Sequence, residues 1–338
     1  MAYISFQPKD YFNTKLYAGN NTADTSITGV GFSPSWVWLK NRDNGVGSHG
    51  LFDAVRGVSQ RLKSDDGAAE TTASGVSSFD SDGFTLGTSW NQASTNFVSW
   101  NWLANGQGSS NTNGTINSTY TSASSTSGFS IVTYTGTGSA GTVGHGLSTA
   151  PTTVWIKQRN GTEQFYTYWK AIGAGNQMTL AGTDASAEGG VLFNSTDATN
   201  TVFSVGTHGS TNASGSTYVA YCFAPIKGFS SIGTFTASNP CFVYTGFKPA
   251  FVILKRYSAT GNWSILDNKR ANSFNPQDPL YANTTDAEQT SDDYDLVSNG
   301  FVIRNASGGG GGDSGSMLYM AIADEPLVSS NGIPNTAR

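Results

Sequence analysis

Large apolar residues come in short alternating stretches along this chain, set between runs of glycine, serine, threonine and asparagine. Three stretches match. Pro34-Ser-Trp36-Val37-Trp38-Leu39-Lys40, Pro151-Thr-Thr153-Val154-Trp155-Ile156-Lys157 and Pro249-Ala-Phe251-Val252-Ile253-Leu254-Lys255 each run from a proline to a lysine six residues on. An arginine follows within two residues, at Arg42, Arg159 and Arg256. Side chains alternate faces along a strand. One face therefore carries Val37 and Leu39, Val154 and Ile156, Val252 and Leu254. The other carries Trp36 and Trp38, Thr153 and Trp155, Phe251 and Ile253. Both faces are largely apolar, which predicts a central strand covered on both sides, with the lysine at its end in reach of water.

A second set of strands closes each repeat: Phe97–Trp102, Tyr218–Phe223 and Met317–Ile322. Each opening strand is expected to end in a tyrosine and a turn, at Tyr17-Ala-Gly19, Tyr134-Thr-Gly136 and Tyr244-Thr-Gly246. Phe79-Asp-Ser-Asp82-Gly83-Phe84-Thr-Leu86 matches Leu296-Val-Ser-Asn299-Gly300-Phe301-Val-Ile303. Asp-Gly and Asn-Gly between alternating apolar residues signal a two-residue hairpin turn with positive φ at both central residues. The second repeat has Val202-Phe203-Ser204-Val205-Gly206 there instead.

The anchor prolines are 117 and 98 residues apart. Such spacing is a domain-sized repeat rather than a solenoid turn, so each unit is expected to own its core. Short strands punctuated by Gly and Asn turns predict an all-β fold. The expectation is three tandem β-sandwich-like units of about 100 residues each, at 9–104, 128–227 and 228–338. Residues 1–8 form an N-terminal arm. Residues 105–127 are almost wholly Gly, Ser, Thr and Asn and predict a semi-flexible tether. The second junction, around Lys227–Ile232, is short and predicts close packing of the last two units. The run Gly308–Gly312 reads as a loop between strands.

Composition agrees with many turns and few helices. Serine, threonine, asparagine and glycine make up 150 of the 338 residues, and charged residues only 12%. Aromatics at 12%, with eight tryptophans, supply a packed core that a disordered chain lacks. The net charge of −5 and the absence of any Lys/Arg run argue against nucleic-acid binding. No secretory signal is evident at the N-terminus, and no apolar run is long enough for a membrane span. Two cysteines, Cys222 and Cys241, are too few for a disulfide framework; the sequence leaves open whether they pair.

The segments "YFNTKLYAGN", "GVGFSPSWVWLKNR", "SFDSDGFTLGT", "GFSIVTYTG", "TYVAYCFAPIKGFSSIGTF", "YTGFKPAFVILKR" and "MAIADEPLVSSNGIPNTAR" resemble a repeat-containing virion structural or tail-fibre-like protein of tailed bacteriophages, of the marine and cyanobacterial type. The resemblance runs in order along essentially the whole chain. It implies a virion structural role and carries no catalytic residue over. Asn335-Thr336 departs from the pattern, where relatives often have a cysteine, and no function attaches to it.

The chemistry-bearing residues are few. His49, His145 and His208 have no i, i+4 pairing and no Cys/His cluster, so no metal site is expected. No Gly-x-Ser-x-Gly elbow opens a helix. Asp80-Ser-Asp82-Gly83 has part of a calcium loop, but its twelfth position is Asn91 rather than Glu; Ser291–Asp295 is a second acidic stretch. Asp53 and Arg56 recur as Asp267 and Arg270, and the second unit lacks both. They read as an ion pair or a turn brace within the unit, with a sugar-binding carboxylate as the alternative. Trp36, Trp38, Trp100, Trp102 and Trp155 read as core. Trp90, Trp169 and Trp263 remain as carbohydrate-contact candidates.

These observations predict a non-enzymatic virion surface protein without cofactor. It is expected to be a tail-fibre or tail-associated component touching the host surface. The alternatives are a capsid decoration or head-fibre protein docked by the N-terminal arm, and a polysaccharide-degrading enzyme. Expected partners are other virion proteins, further copies of the chain as a homo-oligomer such as a trimer, and a host surface glycan.

Overall fold

The computed structural model describes residues 6–43, 47–270, 278–290, 293–304 and 315–324, together with two short paired strands, Leu327–Val328 and Pro334–Asn335. The fold is all-β. Among the described residues the helices are four short segments, 3-10 turns at Pro8–Asp10 and Lys170–Ile172 and single α-turns at Gly190–Phe193 and Gly209–Asn212.

Three large antiparallel sheets share one strand order. In the first, Phe12–Ala18 pairs with Asn96–Trp102, then the anchor strand Trp36–Asn41, then Gly50–Asp53 and Gly57–Leu62. In the second the same places are held by Phe129–Thr135, Thr217–Phe223, Thr153–Gln158, Tyr166–Trp169 and Asn176–Thr179. In the third they are held by Ser230–Thr236, Ser316–Ala323, Pro249–Arg256, Ser264–Asp267 and Leu280–Tyr281.

Each anchor strand is buried on both faces, as its two-sided apolar pattern predicts. The outer faces are covered locally. Over the first sheet lies a smaller one of Thr25–Thr28, Gly83–Leu86 and Val76–Asp80, packing Ile27 and Phe84 on Val37 and Leu39. Over the second lie Gly141–Gly144 and Val202–Val205 with the two α-turns, packing Phe193 and Phe203 on Val154 and Ile156. Over the third lie Cys241–Tyr244, Gly300–Ile303 and Tyr294–Val297, packing Leu296 and Phe301 on Val252 and Leu254.

The inner faces behave differently from the expectation that each unit owns its core. Trp36, Trp38, Trp100 and Trp102 of the first sheet, Trp155, Trp169 and Tyr221 of the second, and Phe251, Ile253 and Trp263 of the third belong to one continuous cluster. Trp36 stacks on Tyr221 at 4.5 Å between ring centres, Phe12 meets Phe251 at 5.4 Å, and Trp169 stacks on Trp263 at 6.0 Å. Aromatic side chains bring the largest buried areas of any residue type. A single sheet face presenting so many of them has no partner of its own, so the three faces bury one another.

Three other expectations are corrected. Residues 105–127 are not a tether. Ser109–Asn111 and Ser118–Ser124 are strands that extend the second sheet from Phe129–Thr135, because alternating small polar residues pair as readily at a sheet edge as they form a loop. Tyr244 is not the counterpart of Tyr17 and Tyr134. Tyr17 and Tyr134 face Phe97 and Tyr218 of their closing strands, and the residue facing the equivalent Met317 is Phe235. The hairpins at Asp82-Gly83 and Asn299-Gly300 form, but Asp80 pairs with Gly83 and Val297 with Gly300. The turn centres are therefore Ser81-Asp82 and Ser298-Asn299. Gly83 (φ +142°) is needed for another reason: a Cβ there would lie 2.0 Å from the Ile27 carbonyl oxygen of the adjacent strand, and at Gly300 2.0 Å from that of Val243.

Of the N-terminal arm, Phe6 packs on Tyr11 and Phe229 and Pro8 opens a 3-10 turn, so the described part lies on the body. Residues 1–5, the run Gly308–Gly312, Ser291, Asp292 and Thr336 lie outside the described residues.

Candidate functional site

The repeated charges of this charge-poor chain point inward, to the junctions between sheets. Asp53 ends its strand fully buried, with one oxygen accepting the backbone N–H groups of Val55 and Arg56. Its other oxygen accepts Arg56 Nε at 2.5 Å and the Tyr221 hydroxyl of the second sheet at 2.7 Å. Arg56 continues to Glu70 at 2.8 Å, and Glu70 accepts Arg159 from the second sheet at 2.7 Å. Burial alone would lower the Arg56 pKa; the Asp53 carboxylate, then Tyr221 and Glu70, overturn this and raise it.

The third sheet repeats the design. Asp267 accepts Lys269 and Arg270 N–H groups, Arg270 Nε at 2.7 Å and Trp100 Nε1 of the first sheet at 2.9 Å. Arg270 lies 3.3 Å from Glu288, which holds Arg42 of the first sheet at 2.6 Å. In the second sheet the equivalent place, opposite Thr153, is Trp169, and its junction is the apolar Trp169–Trp263 stack. Asp53 and Asp267 are fully buried, out of reach of a sugar.

The three anchor lysines correct the expectation of a solvent-facing strand end: all three are fully buried. Lys40 of the first sheet donates to the Thr285 carbonyl beside the third at 2.8 Å. Lys157 of the second donates to Gly67 beside the first at 3.2 Å, and to Gln158 and Gly161. Lys255 of the third donates to Thr183 and Asp184 beside the second at 3.0 and 2.9 Å, and to Arg256. The contacts close a ring of three. Burial pushes each ammonium down to about 8. The anchor prolines Pro34, Pro151 and Pro249 are buried at the near ends of the same stretches.

The histidines are structural. Trp38 Nε1 donates to His49 Nδ1 at 2.7 Å, which places the ring hydrogen on Nε2, facing the Tyr281 and Thr284 carbonyls at 3.0 and 3.1 Å. Burial, with Lys40 nearby, drives its pKa down to about 3. His145 accepts the Leu147 N–H and contacts the Thr199 carbonyl; His208 caps Ser210. Among the described residues no group of three His, Cys, Asp or Glu side chains could hold a metal. The Asp82 carboxylate braces Gly29 and Gly31 N–H groups, Asp80 accepts Ser78 and Thr85, and Asp295 pairs with Arg304. Cys222 and Cys241 are both free and buried.

Of the three tryptophans proposed for carbohydrate contact, Trp169 and Trp263 are fully buried in the central cluster and can stack on no ligand. Trp90 is 7% exposed. Its ring lies between Phe52 at 5.5 Å and the Arg61 guanidinium at 5.2 Å, so it offers an edge rather than a face.

That edge borders a cleft of about 350 Å³ whose walls include Asn41, Ser48, Arg61, Gln92, Thr95 and Phe97. Such a volume is at the small end of ligand pockets. Trp90 sits in the left-handed region at φ +55°, and Ser94 of the same loop at +60°; for a bulky residue this costs about 1–3 kcal/mol. The Tyr17 hydroxyl, donating to the Trp90 carbonyl at 2.9 Å, holds the loop there. Arg61 Nε is buried with no hydrogen-bond partner among the described residues, and burial lowers the Arg61 pKa. A tryptophan in a polar loop was visible in the sequence; Arg61 was not singled out, because its partner on the ring lies 29 residues away.

A second surface feature was missed. Phe242 and Tyr244 are 51% and 67% exposed on the edge strand Cys241–Tyr244. The corresponding strands of the other sheets carry Ser26 and Thr28, and Thr142 and Gly144. The alternation Cys-Phe-Val-Tyr holds that signal, hidden by the assignment of Tyr244 to an opening strand.

A family model described as a domain of unknown function (DUF7483) matches residues 7–326. No curated protein and no solved structure matches the chain.

Proposed function

Taking the chain for what that match shows it to be, a member of the DUF7483 family, we propose that it is a virion surface structural protein of a tailed bacteriophage, a tail-fibre or tail-associated component that contacts the host. The sequence resemblance supplies the setting. The observation that supports a structural rather than an enzymatic role is the use made of the repeated charges. Asp53, Arg56, Asp267, Arg270 and the three anchor lysines are buried as ties between sheets. Perturbed ionisable groups often mark catalytic sites, but these are turned away from solvent onto one another and onto backbone carbonyls. Among the described residues, what remains for contact includes a surface rich in uncharged polar groups, the cleft beside Trp90 and the exposed aromatic pair Phe242 and Tyr244.

The test is location. Antibody against the chain, applied to purified particles in the electron microscope, is expected to label the tail. Labelling of the capsid instead would establish the decoration reading, and absence of the chain from purified particles by peptide mass spectrometry would overturn both. New reducing ends on incubation with host polysaccharide would establish the enzyme reading.

A further inference from the structure

The geometry points to the cleft beside Trp90 as a binding site for a carboxylate-bearing sugar of the uronic-acid class. This deepens the host-contact reading by naming a ligand class, and rests on it for its biological setting.

Arg61 carries the argument. A guanidinium has five N–H donors and no acceptor, and this one lies along the Trp90 ring with a buried Nε that no described group accepts. The nearby carboxylates attract Arg61 through space but spend their hydrogen bonds elsewhere: Asp65 accepts the His49 N–H and Asp66 accepts Lys63 and the Ala68 N–H. A carboxylate arriving from solution is the acceptor that matches the guanidinium fork. Around it the walls are amide and hydroxyl side chains, Asn41, Ser48, Gln92 and Thr95, with Phe97 and the Trp90 edge as apolar surface. One anionic group, several hydroxyls and an apolar ring face describe a uronate rather than a simple acid or a neutral sugar.

The fold does not require this arrangement. Register places Gln177 and Pro279 of the other two sheets where the first has Arg61. The left-handed Trp90 is held by the Tyr17 hydroxyl in the conformation that borders the cleft. Strain kept in place beside a guanidinium whose buried Nε meets no acceptor among the described residues is the mark of a preformed site.

The experiment is amide and indole N–H chemical-shift titration of the full chain with methyl glucuronide, methyl glucoside and acetate. The glucuronide is expected to give saturable shifts at Ser48, Arg61 and Gln92 and at the Trp90 indole. The glucoside and acetate are expected to bind at least tenfold more weakly. Arg61→Gln, the residue the second sheet uses at this place, should keep the spectrum of the fold and weaken glucuronide at least tenfold. No saturable response, an equal response to glucoside or acetate, or undiminished binding by a folded Arg61→Gln overturns the site. Location on the particle is read separately, so either proposal can fail without the other.

Discussion

Tyr221 gives its hydroxyl hydrogen to the buried carboxylate of Asp53 at 2.7 Å, from a strand 168 residues away in a different sheet. Trp100 does the same for Asp267 from the first sheet to the third. These two bonds occupy equivalent places on two junctions. Removing one partner of a buried ion pair typically costs about 3–5 kcal/mol, because the other charge is left unpaired. Asp53→Ala should therefore lower stability by about that amount, and Tyr221→Phe by about 1.5–3 kcal/mol, the range for hydrogen bonds to charged groups. Denaturant titration of both variants and their double mutant checks this. The double mutant should lose less than the sum, because the two act on one network.

The anchor lysines make stability depend on alkaline pH. Each has a folded pKa of about 8, below the unfolded value of 10.5. Between those values the unfolded chain binds more protons than the folded one, so stability rises with pH from about 8 towards 10, by at most about 1.4 kcal/mol per pH unit for each lysine. Above pH 10 the buried tyrosines Tyr17 and Tyr134, whose pKa values burial raises, reverse the trend. Lys40→Met should reduce the rise by about one third, as read from melting temperature against pH.

His49 sets the acid side. Its folded pKa of about 3 is below the ordinary 6.5, so the stability it contributes is complete above pH 6.5 and is lost as pH falls towards 3. The slope from this one group is at most about 1.4 kcal/mol per pH unit. His49→Gln should flatten the melting-temperature profile between pH 6.5 and 4. It should also cost stability at pH 7, since Trp38 Nε1 and two carbonyls lose their present partner.

Gly83→Ala forces a Cβ to 2.0 Å from the Ile27 carbonyl oxygen at a φ of +142°. Strain of this kind costs about 1–3 kcal/mol. The melting temperature should fall. The equivalent Gly300→Ala should produce a similar fall, while Gly106→Ala, with open space around it but φ +55°, should cost less.

Much of the fold can be read in the chain. The proline-to-lysine stretches predict anchor strands buried on both faces, and Asp82-Gly83 and Asn299-Gly300 mark the hairpins. What the pattern does not contain is the identity of the partner across each face. Trp36 and Trp38 read as core, but periodicity cannot say that their core is shared with Tyr221 and Phe251. The anchor lysines read as solvent-facing because lysine is rarely buried; the carbonyls that tie each of them to another sheet, at Thr285, Gly67 and Thr183, are far away in sequence. Residues 118–124 read as linker because their Ser and Thr are as common in loops, yet they pair on both sides, with Ser109–Asn111 and Phe129–Thr135. At the cleft, Trp90 stood out as an aromatic in a polar loop, whereas Arg61 gained meaning only from its position over that ring.

Three sheets with one strand order fold around a shared central core, tied in a ring by their lysines. Differential scanning calorimetry of the full chain at pH 7 tests this most directly. A shared core predicts one endotherm whose calorimetric and van't Hoff enthalpies agree, and Asp53→Ala should move the whole endotherm to lower temperature. Two or three separable transitions, with Asp53→Ala shifting only one of them, would contradict it.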